Sequence, residues 1–135
     1  MAFISWDDSL DVGVSQFNED HRRLVAFIND LHGGIVSGIG ISQMTYILDG
    51  LIDYTKNHFA REEEMMAKHD YPDIKAHRRE HYELMKQVAE FSARLKEGKA
   101  SFTLELMSFL KDWLVKHIKG TDMKYRDFFA GKGLA

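Results

Sequence analysis

Residues at alternating steps of three and four mark one face along each of four long segments, a spacing that commits the chain to amphipathic helices. The first face carries His21, Leu24, Ile28, Leu31 and Ile35, and the second Leu48, Leu51, Thr55, His58, Glu62 and Met65. The third runs through Ile74, His77, His81, Leu84, Val88, Phe91 and Leu95, and the fourth through Phe102, Leu106, Phe109, Trp113 and His117. Punctuation falls where the faces stop: GGIVSGIG after the first, the single proline Pro72 before the third, Gly98 after it and Gly120 at the end of the fourth. Helices are therefore predicted over about 18–37, 43–68, 73–97 and 102–120, with Pro72 in the first turn of the third and Ser101 capping the fourth. An irregular arm over 1–15 precedes them, and a short helix over about 122–130 follows. Short turns between long helices predict an all-α, antiparallel up-down-up-down four-helix bundle, one domain over residues 1–135. A chain of this length buries enough surface to need no staple.

Composition narrows the chemistry. A net charge of −3 lacks the basic excess of a nucleic-acid binder, and no stretch approaches the ~20 apolar residues of a membrane span. The N-terminus has two early aspartates and no basic region, so the chain reads as cytoplasmic. There are no cysteines, which excludes disulfides, thiolate zinc, iron-sulfur clusters and a cysteine nucleophile, and fits a reducing compartment. A metal would have to be held by nitrogen and oxygen.

Five histidines and a glutamate occupy faces that should point inward, while the arginines and glutamate inside HRREH (77–81) point outward. One histidine on such a face is ordinarily a core imidazole bonded to a carbonyl. Five are harder to accommodate, because each unpartnered buried polar group costs about 1–3 kcal/mol and a buried charge more. Antiparallel helices rise equally, by about 1.5 Å per residue, so distance from a shared turn gives relative height. With turns near 40, 69–70 and 99, His21 lies about 19 residues before the first, and His58 and Glu62 about 18 and 22 beyond it. His58 and His81 are equally far from the second turn, as are Glu62 and His77, and His81 and His77 lie level with His117 and Asp122 across the third. All seven converge on one layer. His32 falls roughly 15 Å away by the same rise and His69 sits in a turn, so both read as surface or capping residues.

Five imidazoles and two carboxylates exceed what one ion with an open position can use, but suit a pair of ions bridged by both carboxylates. Dividing the histidines three and two leaves one ion a ligand short, where a small molecule would bind. Such ligation suits iron best, with manganese, cobalt or zinc as alternatives. One spacing resists a regular helix: five α-helical residues turn about 500°, which leaves His117 and Asp122 roughly 140° apart. A π-type turn or a helix break at Gly120 is predicted.

His21, then HFARE (His58, Glu62), HRREH (His77, His81) and HIKGTD (His117, Asp122), together with the arm SWDDSLDVGVSQFNEDH, resemble the hemerythrin family in its bacterial single-domain form. The resemblance spans nearly the whole chain. It implies reversible O2 binding at a non-haem di-iron centre: His77, His81 and His117 on one iron, His21 and His58 on the other, and Glu62 and Asp122 bridging beside an oxo or hydroxo group. In the family O2 is held as hydroperoxide on the iron with two histidines. Leu24, Phe59, Trp113, Leu114 and Ile118 match apolar positions around the family's O2 pocket, with plain core packing the alternative for each. Tyr125 falls where the family often has a tyrosine, without an assigned role.

The expected function is therefore O2 storage, delivery or transport by a binding protein and not an enzyme. Alternatives are a di-iron oxidase or peroxidase, or a module sensing O2, nitric oxide or iron. The expected partners are dioxygen and a protein that consumes it or receives its signal, with a monomer the default. The methionines at 44, 65, 66, 85 and 107 read as core filler, since methionine suits irregular packing.

Overall fold

The computed structural model describes residues 3–38, 40–97 and 103–133. Four long helices, α1 (Ser15–Ser37), α2 (Ile41–Lys68), α3 (Ile74–Lys96) and α4 (Thr103–Lys116), form an antiparallel bundle. α1 and α3 each pack against both α2 and α4, and the described residues include no strand. A π-helical segment, His117–Asp122, continues α4 directly into α5 (Met123–Gly131).

Helix ends follow local chemistry. α1 stops at Gly38, whose left-handed backbone (φ 81°) turns its N–H back onto the Gly34 and Ile35 carbonyls. α2 ends the same way without glycine: Asp70 takes φ 56°, and Tyr71 N–H bonds the Met66 carbonyl at 2.9 Å. Tyr71 is thereby buried. Pro72 lies in the turn before α3, with Asp73 as its N-cap, so the expected first-turn position is corrected by two residues. α1 begins at Ser15, not near 18, because buried Phe17 gives the helix an apolar anchor one turn earlier. Ser101 and Phe102 lie outside the described residues.

The inward faces hold with local rotations. Met66, not Met65, is buried at the end of α2, and α4 buries Leu106, Met107, Leu110 and Leu114 while Phe109 and Trp113 are half-buried. A helix touching two neighbours hides an arc at least about 100° wide, so two adjacent ribs go inward where a single stripe was expected.

The arm is pinned to the bundle. Ile4, Leu10, Val12 and Val14 are buried, and a 3-10 turn over Asp8–Leu10 lies against the π segment. Asn29 on α1 receives the Ile4 N–H at 2.8 Å and donates to the Ile4 carbonyl at 2.9 Å. Asn18 accepts from Val12 N–H at 2.9 Å and donates to Asp11, and the Arg22 guanidinium sits 4.8 Å over the Trp6 ring. Gly13 takes φ +78°, and a Cβ there would meet the Arg126 side chain at 2.9 Å.

Losing both Asn29 bonds should cost about 1–3 kcal/mol. Asn29→Ala is expected to lower the melting temperature and speed proteolysis within residues 3–14, read by mass spectrometry of the fragments; cleavage at the wild-type rate would show that the apolar contacts alone hold the arm.

Candidate metal centre

Each of the bundle's helices carries inward donors to one height. His21 comes from α1, His58 and Glu62 one turn apart from α2, and His77 and His81 one turn apart from α3, where side chains four residues apart stack on one face. His117 and Asp122 open and close the π segment, whose i→i+5 repeat brings residues five apart onto one side. The expected π turn is thus present, as a continuous helix without a break at Gly120. All seven side chains are at most 4% exposed.

The donors divide into two groups around the carboxylates. Glu62 Oε2 lies 3.6 Å from His21 Nε2 and 3.4 Å from His58 Nε2, and Asp122 Oδ2 lies 3.1 Å from His21 Nε2. Glu62 Oε1 lies 3.6 Å from His77 Nε2 and 3.3 Å from His81 Nε2. Asp122 Oδ1 lies 2.9 Å from His77 Nε2 and 3.0 Å from His117 Nε2. One oxygen of each carboxylate therefore faces the two-histidine group and the other the three-histidine group. The Nε2 atoms of His21, His77, His81 and His117, with Glu62 Oε1 and both Asp122 oxygens, are buried and make no aligned hydrogen bond among the described residues. A six-coordinate ion with bonds of about 2.1 Å holds adjacent donors about 3 Å apart. The spacings and the orphaned lone pairs fit two such ions.

Surrounding groups hold the imidazoles from behind. His58 Nδ1 lies 2.8 Å from Asp20 Oδ2 and His81 Nδ1 3.0 Å from Glu63 Oε2, while Glu80 Oε1, which accepts from the Thr121 hydroxyl at 3.0 Å, lies 3.6 Å from His117 Nδ1, beyond hydrogen-bond reach. Glu80 is therefore not a plain outward residue of HRREH: it leans over His117. Phe59 stacks on His81 (3.6 Å, 4°) and Trp113 on His117 (4.4 Å, 14°), while the Tyr125 ring lies 5.8 Å from His77. Tyr125, fully buried, donates from its hydroxyl to Glu62 Oε2 at 2.6 Å.

Burial alone would depress the imidazoles, but the carboxylates outweigh it. Glu62 charge pushes His58 up to about 9, the Asp122 carboxylate 2.9 Å away pushes His77 up to about 9, and Asp122 charge pushes His117 up to about 10. Burial would raise Glu62 and Asp122, yet the histidines hold both well below the carboxylate range. In the metal-free chain, protons thus balance the buried negative charge.

Of the five predicted pocket residues, Leu24, Trp113 and Leu114 line one apolar cavity with Ile28, Leu51, Ile52, Thr55, Leu84, Met85, Val88 and Leu110. It has about 20 Å³ of free space, room for about one water-sized molecule. Leu24, Thr55, Leu84 and Leu114 each lie three residues from a histidine of the layer, so the cavity abuts it. Thr55 adds no free donor, since its hydroxyl bonds the Leu51 carbonyl at 2.6 Å. Phe59 and Ile118 do not line this cavity: Phe59 lies in a surface depression beside His81, and Ile118 is buried within the π segment.

Sequence reading missed Asp20, Glu63, Glu80 and the role of Tyr125. Asp20 was discoverable: the rib of Leu24, Ile28 and Leu31 read for α1 continues toward the N-terminus through Asp20 and Phe17 at helical spacing. Glu63 and Glu80 lie on half-exposed flanks that no periodicity distinguishes.

Such a layer defines a cation-binding helical bundle. The Hemerythrin HHE cation binding domain matches residues 12–128. Bacteriohemerythrin of Stenotrophomonas maltophilia is 37% identical over 127 residues, spanning 94% of this chain and 82% of the relative. Bacteriohemerythrin of Methylococcus capsulatus is 32% identical over 126 residues, spanning 93% and 95%. A wild-type hemerythrin crystal structure superposes with TM-score 0.86 at 31% identity, over 93% of this chain and 97% of that one. The chain belongs to the hemerythrin family.

Raised imidazole values fix the sign of a pH effect on the metal-free chain. Stability from His58, His77 and His117 is fully present below their unfolded value of 6.5 and is lost as pH rises through about 9 to 10. Metal-free protein should melt progressively lower from about pH 6.5 to about pH 10, while metal-loaded protein, whose ligands must be deprotonated, should lose metal on the acid side. Thermal melts of both forms by circular dichroism would show this; metal-free protein melting higher at about pH 10 than at about pH 6.5 would contradict it.

Proposed function

We propose that this chain binds O2 reversibly at two iron ions, one held by His77, His81 and His117, the other by His21 and His58, with Glu62 and Asp122 shared. The sharing carries the reading: each carboxylate offers one oxygen to either group at 2.9–3.6 Å from imidazole nitrogens. Nitrogen-rich, thiolate-free donors favour iron over softer-ligand metals. When bound, the ion pair supplies two electrons and an open coordination position, the chemistry that O2 uptake needs. An ion beside His21 and His58 would have one histidine fewer than an ion among His77, His81 and His117.

The chain's own residues supply the rest. Leu24, Leu84, Leu110, Trp113 and Leu114 wall an almost wholly apolar space against the layer, large enough for a diatomic molecule, and the Thr55 hydroxyl that borders it is already bonded to the Leu51 carbonyl. None of the residues lining it is titratable. Tyr125 is the acid nearest the carboxylates, and burial beside Asp122 and Glu62 raises its hydroxyl well above the usual range, so it keeps its proton. Lack of a proton source at the cavity supports binding over catalytic reduction. A cysteine-free chain with no helix long and apolar enough to cross a membrane supports a cytoplasmic setting, among the described residues.

Reducing iron-loaded protein without air, admitting O2 and then removing it under vacuum is expected to make a visible charge-transfer band appear and disappear over repeated cycles. Irreversible bleaching, or stoichiometric release of a reduced oxygen product, would overturn the binding reading in favour of an oxidase.

A further inference from the structure

Asp20 is fully buried, yet every lone-pair direction of its carboxylate is used. Oδ1 accepts from Gln16 Nε2 at 3.1 Å, Tyr54 OH at 2.9 Å and Arg61 Nη2 at 2.7 Å. Oδ2 accepts from Arg61 Nε at 3.0 Å and His58 Nδ1 at 2.8 Å. Tyr54, His58 and Arg61 are spaced four and three along α2, so one face of that helix grips a single carboxylate on α1. Five donors on two oxygens, two of them from one guanidinium, leave the carboxylate no place for a proton.

The two candidate ion sites differ in this backing. His81 and His117 lean on Glu63 and Glu80, whose side chains are 27% and 44% exposed. Among the described residues neither His21 Nδ1 nor His117 Nδ1 has an aligned hydrogen-bond partner, so the hydrogen-bonded rear support is Asp20 behind His58 in the two-histidine group and Glu63 behind His81 in the other. An ionised carboxylate only accepts, so it fixes the proton of neutral His58 on Nδ1 and turns the Nε2 lone pair toward Glu62 Oε2, 3.4 Å away.

We propose that the Asp20–Arg61 clamp positions His58 for the two-histidine ion, so that this ion depends on Asp20 while the ion among His77, His81 and His117 does not. The proposal rests on the two-ion reading above. Asp20→Asn keeps shape and volume but must aim an N–H₂ at a donor whichever way the amide turns, because donors occupy both oxygens. Loss of such an outer partner lowers metal affinity about 10–100-fold.

The test measures iron per chain after gel filtration and the rate of iron release to a ferrous chelator, for wild type, Asp20→Asn and Arg61→Lys. Arg61→Lys keeps the charge, loses the two-pronged contact, and serves if Asp20→Asn fails to fold. Wild type is expected to hold two irons, and Asp20→Asn about one, or two with one released about 10–100-fold faster. For Arg61→Lys a smaller acceleration confined to one iron is expected. Wild-type release from the variants, or equal loss of both irons, would overturn the clamp while leaving the two-ion reading intact. Fewer than two irons in wild type would overturn both.

Discussion

Two carboxylates buried among five imidazoles at the centre of an apolar bundle are the constraint to which the rest of the structure answers. Glu62 and Asp122 are fully buried, and neither has a lysine or arginine within ion-pair distance among the described residues. Placing such charges in a low-dielectric core is costly unless positive charge meets them there. Without metal, raised imidazoles supply it; with metal, two cations would. The same seven donors thus couple folding to whatever occupies the layer, since a ligand that binds only the folded chain stabilises it.

Geometry is met by departures from regular helix at one place. α1 delivers one donor and α2 and α3 deliver pairs at ordinary one-turn spacing, but the fourth helix and its π continuation must deliver His117 and Asp122, five apart, to one side. The π segment does this, and it sits where the arm's 3-10 turn packs against it and where Tyr125, at the start of α5, reaches back to Glu62. π turns recur at functional sites because their weaker geometry is kept only when a side-chain placement requires it. Here the placement is Asp122 Oδ1 2.9 Å from His77 Nε2 and Oδ2 3.1 Å from His21 Nε2.

Helical spacing and equal rise made the bundle and the donor layer readable before any coordinates, because both depend on periodicity along one helix and counting between turns. The π turn was readable for the same reason, as a spacing no α-helix could satisfy. What stayed hidden depends on contacts between helices. Helical spacing puts Asp20 on the inward side of α1, but its part in the layer shows only in the approach of Tyr54, His58 and Arg61 from α2. The family resemblance puts Phe59 among the pocket residues, but its ring turns to stack on His81 across the α2–α3 seam. Trp113 likewise serves two surfaces, one against the cavity and one against His117.

Anomalous diffraction at the iron edge, on crystals of iron-loaded protein, tests the shared-carboxylate arrangement most directly. Two peaks about 3–4 Å apart are expected, both within bonding distance of Glu62 and Asp122, one among His77, His81 and His117 and the other beside His21 and His58. A single peak, or two peaks that do not share those carboxylates, would contradict it.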